Sequence, residues 1–173
     1  MDFDAFYLLV LKFLHFRPRS EKEIRDYLKK VLSRHSEHSD AYTFRSTQGD
    51  KGDDLVDLIV HKLKQQKFLD DVEFARMWVR SRTEFKPKGK YLVKQELRQK
   101  GISQEIIDNV LGSDIRTQSE AELAKDVLER KKKRYEGMEP QERFAKAGSF
   151  LARRGFSLDS IKAAIDQVFG KVV

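Results

Sequence analysis

The sequence predicts an all-α protein, an elongated array of three tandem three-helix repeats with about nine helices. Two observations predict this fold. Apolar residues recur at helical spacing through most of the 173 residues, and no stretch alternates polar and apolar residues between hairpin turns. In addition, each of the three prolines opens a similar passage of charged and apolar residues. We therefore expect one structural unit to occur three times along the chain.

The proline passages define the repeats. Pro18 and Pro87 are each followed by aliphatic residues six and ten positions later, and after Pro140 the corresponding residues come one position further on. The first two prolines are 69 residues apart and the last two are 53 apart. We assign the excess to a polar insertion near residues 33–52. The predicted repeats are residues 1–69, 70–113 and 114–173.

Helix starts carry a common pattern. A Ser or Asp followed three residues later by Glu predicts a capping box at Ser20, Asp70 and Ser119. Asp71 lies beside Asp70, but adjacent carboxylates point in different directions, so the pair indicates a helix start and not a catalytic acid pair. The predicted helices lie near residues 3–16, 20–33, 53–67, 71–85, 89–100, 103–112, 119–136, 140–154 and 157–169.

Positive charge is concentrated in one segment. The formal net charge is +7, and residues 76–100 hold nine basic and two acidic residues, whereas the remainder is balanced at 26 of each. Such a local excess favours an anionic partner over a merely solvated surface. The predicted basic face comprises Arg76, Arg80, Arg82, Lys86, Lys88, Lys90, Lys94 and Arg98. A secondary basic cluster comprises Arg130, Lys131, Lys132, Lys133 and Arg134.

Other kinds of site find little support. The chain has no Cys and no phosphate-binding glycine loop. His35, His38 and Asp40 could be metal ligands, but a polar surface loop explains them better because the sequence supplies no further ligand. We therefore predict no catalytic residue, no metal and no cofactor, and hence no enzyme. The apolar N-terminus begins with acidic residues and is too short to span a bilayer, which predicts a core helix and a cytoplasmic protein. We also expect a monomer.

Four passages taken together resemble the RecX family, bacterial regulators of the RecA recombinase. They are RPRSEKEIRDYL, FLDDVEFARMWVRSR, KGKYLVKQELRQKGIS and FLARRGFSLDSIKAAI. The resemblance covers nearly the whole chain in the expected order, with residues 33–52 longer than the usual link. It implies a curved array of three-helix units and no catalytic residues.

The same resemblance implies a function in homologous recombination, DNA repair and the SOS response. It implies binding to RecA, especially to the RecA–single-stranded DNA filament, and inhibition of the ATPase, strand-exchange and co-protease activities of RecA. The positive surface of the family would correspond here to residues among 76–98. Single- or double-stranded DNA is expected as a weaker partner. The alternative is a stand-alone DNA-binding helical repeat protein that acts without RecA.

Overall fold

The computed structural model of the protein describes residues 3–38, 48–113 and 118–170. These residues form nine α-helices and one short 3-10 helix, with no strand among them. The all-α prediction is therefore confirmed for the described part of the chain. The α-helices are α1 (Phe3–Phe16), α2 (Glu21–His38), α3 (Gln48–Gln65), α4 (Asp71–Glu84), α5 (Lys90–Gln99), α6 (Gln104–Gly112), α7 (Glu120–Glu129), α8 (Pro140–Ala152) and α9 (Leu158–Phe169), and the 3-10 helix spans Lys132–Arg134.

Three predicted helix boundaries were wrong. Helices were expected to end near residue 33 and to begin again near residue 53, but α2 runs on to His38 and α3 begins at Gln48. No Gly or Pro interrupts the chain between residues 33 and 38, so the helix meets no strong stop signal there. Residues 39–47 of the predicted polar insertion lie outside the described residues.

The third correction concerns the helix predicted near residues 119–136. α7 ends at Glu129, and the five cations of the secondary cluster follow it in a turn that includes the 3-10 helix. Tyr135, immediately after this turn, is only 3% exposed and packs in a hydrophobic core. The tighter turn therefore ends the helix and returns the chain to the core.

The first of two compact units comprises the described residues up to Phe74, together with residues 100–102. Its core is formed by apolar faces of the first three helices. Phe13 and Tyr27 are partly buried against this core, and their rings stack with centroids 4.2 Å apart. The buried core residues are Phe6, Tyr7, Val10, Ile24, Leu28, Val56, Ile59, Val60, Leu63 and Leu69.

The second unit comprises residues 75–99 and the described residues from Ser103 onward. Its largest core lies around α7, α8 and α9. Helices α5 and α6 also bury apolar residues, which are Val93, Leu97, Ile107 and Val110. The core around the last three helices consists of Leu123, Ala124, Val127, Leu128, Tyr135, Ala147, Leu151, Phe156, Ile161, Ala164, Ile165 and Val168.

The three predicted caps are present. The Asp70 carboxylate accepts hydrogen bonds from the backbone N–H groups of Val72 and Glu73, at 2.8 and 3.0 Å. Ser20 and Ser119 each exchange hydrogen bonds with the glutamate three residues later. The interpretation of Asp70 as a helix start is confirmed, and each cap is worth about 0.5–2 kcal/mol.

Asp71 caps a different helix. Its carboxylate accepts a hydrogen bond from the backbone N–H of Glu21, the first residue of α2, at 2.9 Å. Close by, the Ser20 hydroxyl donates to the Lys100 carbonyl oxygen at 2.6 Å. Burial raises the pKa of Asp71, and this backbone hydrogen bond opposes the rise. The first unit thus holds the start of α4 and residues 100–102 against one helix end.

The second unit contains the same arrangement. The Glu120 carboxylate, at the start of α7, accepts from the backbone N–H of Lys90 at 2.7 Å. The N–H of Gly89 donates to the Arg154 carbonyl oxygen at 2.8 Å. Gly155, which follows at φ +80°, lies so close to Leu92 that an added Cβ would be 2.6 Å from its Cγ. In each unit a carboxylate from a distant segment thus covers one helix N-terminus, and a distant carbonyl oxygen accepts a hydrogen bond from the residue just before that helix.

Glu23 gives the first unit a pH-dependent contribution to stability. Burial opposes ionisation of Glu23, but hydrogen bonds from Arg17 and Lys100 outweigh it and lower the pKa to about 2 from 4.5. Because the folded pKa is lower, this contribution is complete above about pH 4.5 and is lost as the pH falls toward 2.

Glu23→Gln should lower the free energy of unfolding by about 2 kcal/mol near neutrality, after discounting for solvent screening. Below about pH 4.5 the difference should shrink. Urea denaturation across this range measures it, with the exposed Glu136→Gln as control. A difference that is independent of pH would contradict the prediction.

Close backbone packing makes Gly89 indispensable in the second unit. A Cβ at this position would lie 1.9 Å from the Gly155 carbonyl oxygen, so the two backbone segments would have to separate. Gly89→Ala should lower the free energy of unfolding by about 3 kcal/mol in urea denaturation. Gly112→Ala is the matched control, because the space around Gly112 is open. Equal stabilities of the two variants would show that the contact is unimportant.

Candidate nucleic-acid interface

A groove in the second unit gathers positive charge from three separate segments. Its volume is about 510 Å³. Six of its eleven lining residues are Lys or Arg, and none is acidic. The segments are the turn after α4, the end of α7 and the end of α8. The lining residues are Phe85, Lys86, Pro87, Lys88, Leu92, Val127, Arg130, Lys131, Phe150, Arg153 and Arg154.

Hydrogen bonds of Arg154 join two of the segments that line this groove. Besides its carbonyl bond to Gly89, Arg154 donates from its guanidinium to the Pro87 carbonyl oxygen at 3.2 Å. The same guanidinium lies over the Phe150 ring, 4.9 Å from the centroid. Arg154 therefore fixes the turn after α4 to the end of α8, and it positions the cations that the two segments carry.

Glu96 organises the cations next to the groove. Its carboxylate forms ion pairs with Arg82, at 2.7 Å, and with Lys88, and it accepts a hydrogen bond from the Trp78 indole at 2.8 Å. The Arg82 guanidinium also lies over the Trp78 ring, 4.3 Å from the centroid. Burial opposes ionisation of Glu96, yet the bonds from Lys88, Arg82 and Trp78 lower its pKa. Arg82 and Lys88 are thus partly neutralised within the unit.

Lys90, Lys94 and Arg98 recur every four residues along α5, and the charges of the last two are partly compensated within the unit. Lys94 pairs with Asp108 on α6 at 2.8 Å, and Arg98 donates two hydrogen bonds to the Gln104 side-chain oxygen at 3.1 and 2.8 Å. Hydrogen bonds from Lys94 and Gln104 lower the pKa of Asp108. Like charges spaced four residues apart on α5 therefore find acceptors on the neighbouring helix, where the sequence had suggested an external partner.

The predicted cations do not form one continuous set. Lys86 and Lys88 from the basic face, and Arg130 and Lys131 from the secondary cluster, line the groove. Arg76, Arg80 and Lys90 are exposed but do not line it, and neither do Lys132, Lys133 and Arg134. Sequence reasoning missed the contributions of Arg153 and Arg154, although the ARRG motif in the third repeat carries them. The functional assignment of all these cations stays a prediction.

Among the described residues, no three His, Cys, Asp or Glu side chains come together in a way that could hold a metal ion. The side chains of His35 and His38, and the whole of Asp40, lie outside the described part. Within residues 3–38, 48–113 and 118–170, every helix falls short of the length and apolarity that a bilayer crossing requires.

Loss of the central carboxylate should destabilise the second unit. Glu96→Gln would leave Arg82 and Lys88 without their shared counter-ion, and the Glu96 side chain is only 18% exposed. We expect the free energy of unfolding to fall by about 2 kcal/mol in urea denaturation. Asp108→Asn is the control, because that carboxylate is 58% exposed and should matter much less. An equal loss in both variants would contradict the prediction.

Comparisons with known proteins identify the family. Three family models match in order: RecX, first three-helix domain, over residues 7–30; RecX, second three-helix domain, over residues 70–111; and RecX, third three-helix domain, over residues 118–165. The chain also resembles two solved structures. RecX from Lactobacillus salivarius superposes with a TM-score of 0.75 at 22% identity, over 96% of each chain. A second regulatory protein RecX gives 0.70 at 27% identity, over 95% of this chain and 71% of that one.

Individual relatives of the chain carry the same family name. The chain is 31% identical to regulatory protein RecX of Geobacillus sp. (strain WCH70) and 32% identical to that of Bacillus subtilis (strain 168), over 90% and 91% of its own length. It spans only about half of these relatives, 50% and 53%. Regulatory protein RecX of Chlorobium phaeobacteroides (strain BS1) is 35% identical over 66% of this chain and 72% of the relative. The chain therefore belongs to the RecX family of regulatory proteins.

Proposed function

We propose that this protein binds RecA assembled on single-stranded DNA and inhibits the ATPase, strand-exchange and co-protease activities of RecA. The observation that carries this proposal is the ordered succession of three RecX domains along the chain. The relatives are named regulatory proteins, which supports a regulatory role for this chain. The role of RecA as the target follows from the resemblance of the sequence to the family.

The groove of the second unit supports the same proposal. A RecA–DNA filament carries a polyanionic strand, and the excess of cations in this concavity would attract it. Attraction of this kind speeds association and weakens as salt is added. Contacts at several points along a filament would also raise the overall affinity through effective concentration, even if each contact is weak. A surface with these properties suits a filament better than a small-molecule substrate.

Inhibition would follow from unequal binding to two filament states. A ligand that prefers a less active arrangement of RecA shifts the population toward that arrangement, by no more than its difference in affinity for the two. The chain needs to supply only binding energy for this effect.

The direct test is the single-stranded-DNA-dependent ATPase of RecA, titrated with the wild-type protein. We expect turnover to fall with added protein and to recover at high salt. Unchanged turnover, together with no co-sedimentation with assembled filaments, would refute the proposal. Tight, salt-sensitive binding to DNA alone with no effect on RecA would instead favour the stand-alone DNA-binding alternative.

The cations that line the groove should contribute more to inhibition of the RecA ATPase than nearby exposed lysines do. Lys86→Gln combined with Lys131→Gln removes two charges from the groove lining. We expect the concentration for half-inhibition of the ATPase to rise about tenfold at moderate salt. Lys132→Gln with Lys133→Gln is the matched control, because it removes the same net charge from exposed lysines that do not line the groove. Equal effects would show that only total charge counts.

A further inference from the structure

We propose that the groove of the second unit binds a single-stranded polynucleotide directly, and that Phe85 selects the single strand over duplex by stacking on an unpaired base. The proposal deepens the proposed function, and rests on it in assigning the strand to the RecA filament. Direct binding of the strand can nevertheless be tested without RecA.

Phe85 is an exposed aromatic ring at the edge of a cationic groove. Its side chain is 77% exposed, although a phenylalanine gains free energy by leaving water. The next residue in the chain is Lys86, and Lys88 follows two positions later, so ring and positive charges share one turn. An aromatic face beside cations is the arrangement by which proteins bind single strands, the ring taking a base and the cations the phosphates.

The turn that presents this ring is held by its backbone. The N–H groups of Phe85 and Lys86 both donate to the Ser81 carbonyl oxygen, at 3.2 and 3.3 Å, and that of Lys88 donates to the Arg82 carbonyl oxygen at 3.1 Å. The hydrogen bond from Arg154 to the Pro87 carbonyl oxygen ties the same turn to the end of α8. Binding would therefore cost little additional ordering of the backbone.

The other groove segments supply uncompensated cations. Arg130, Lys131 and Arg153 are exposed and line the groove, and none of them forms an ion pair with another described residue. Phe150 also lines it, but the Arg154 guanidinium already lies over its ring. Phe85 is thus the aromatic side chain of the lining whose surface is most open to a ligand.

The ring favours a single strand over other polyanions. In a duplex the bases stack on one another and leave no free face for an external ring, whereas an unpaired base offers one. An acidic polypeptide would satisfy the cations, but it carries no flat base to cover Phe85. The combination of charge and exposed aromatic surface therefore indicates a single-stranded nucleic acid.

The test measures binding of fluorescent oligo(dT) and of a hairpin duplex of equal phosphate number by fluorescence anisotropy, without RecA. Phe85→Ala should weaken oligo(dT) binding about tenfold and change duplex binding little. Phe85→Tyr should retain most of the affinity, because the ring is kept. Phe16→Ala is the matched control, since Phe16 is 81% exposed and does not line the groove, and it should leave binding unchanged.

Salt dependence tests the cations separately. Lys86→Gln with Lys131→Gln should reduce the slope of log affinity against log salt by about 1.4, at about 0.7 for each lost phosphate contact to a single strand. Lys132→Gln with Lys133→Gln should change it less. Polyglutamate should displace oligo(dT) equally well from wild-type protein and from Phe85→Ala after allowance for their different affinities, because it competes only for the cations.

Several outcomes would overturn the proposal. One is an equal loss of oligo(dT) affinity in Phe85→Ala and Phe16→Ala. Another is an equal affinity of the wild-type protein for the duplex and for the single strand. A third is that Phe85→Ala lowers the affinity for polyglutamate as much as it lowers the affinity for oligo(dT). If RecA is inhibited while oligo(dT) does not bind, the proposed function stands and this inference fails. If oligo(dT) binds as expected while RecA is unaffected, direct strand binding by the groove stands and the proposed function fails.

Discussion

Covering of a helix N-terminus by a distant carboxylate is the contact on which each unit depends. The first N–H groups of a helix have no partner within it, so burial of that end requires acceptors from elsewhere. Asp71 supplies one to Glu21 in the first unit, and Glu120 supplies one to Lys90 in the second. Because each carboxylate stands beside the cap of its own helix, one short sequence pattern starts one helix and fixes another.

The same contact determines where the charges of the second unit can act. With the start of α5 fixed by Glu120, the preceding turn lies against the end of α8, and cations from both segments line one groove. Arg82, Lys94 and other cations bind carboxylates inside the unit instead. Positive charge is thus divided between side chains that pair within the unit and side chains that stay exposed along the groove.

The fold could be predicted from sequence because its signals are local: caps, glycine stops and apolar spacing each act within one helix or turn. The groove could not be predicted from sequence, because its lining comes from distant parts of the chain. Lys86 and Lys131 are 45 residues apart in the chain, and only the packing of α8 brings them together with Arg153. Counting charges pointed to residues 76–100, but it could not show that Glu96 and Asp108 would neutralise part of that charge. Compensation depends on side-chain directions that the sequence pattern does not contain.

A groove of this kind need not bind tightly to be effective. Exposed lysines and arginines keep their hydration until a polyanion arrives, and the gain then comes largely from released counter-ions. Such binding tolerates any base sequence, whereas a stacking ring at Phe85 would add a preference for unpaired bases. Under the proposed function the chain recognises a protein-coated single strand whatever its sequence, and this recognition requires both properties. The turn after α4 carries an exposed ring and lysines together, and its hydrogen bond from Arg154 fixes where they lie.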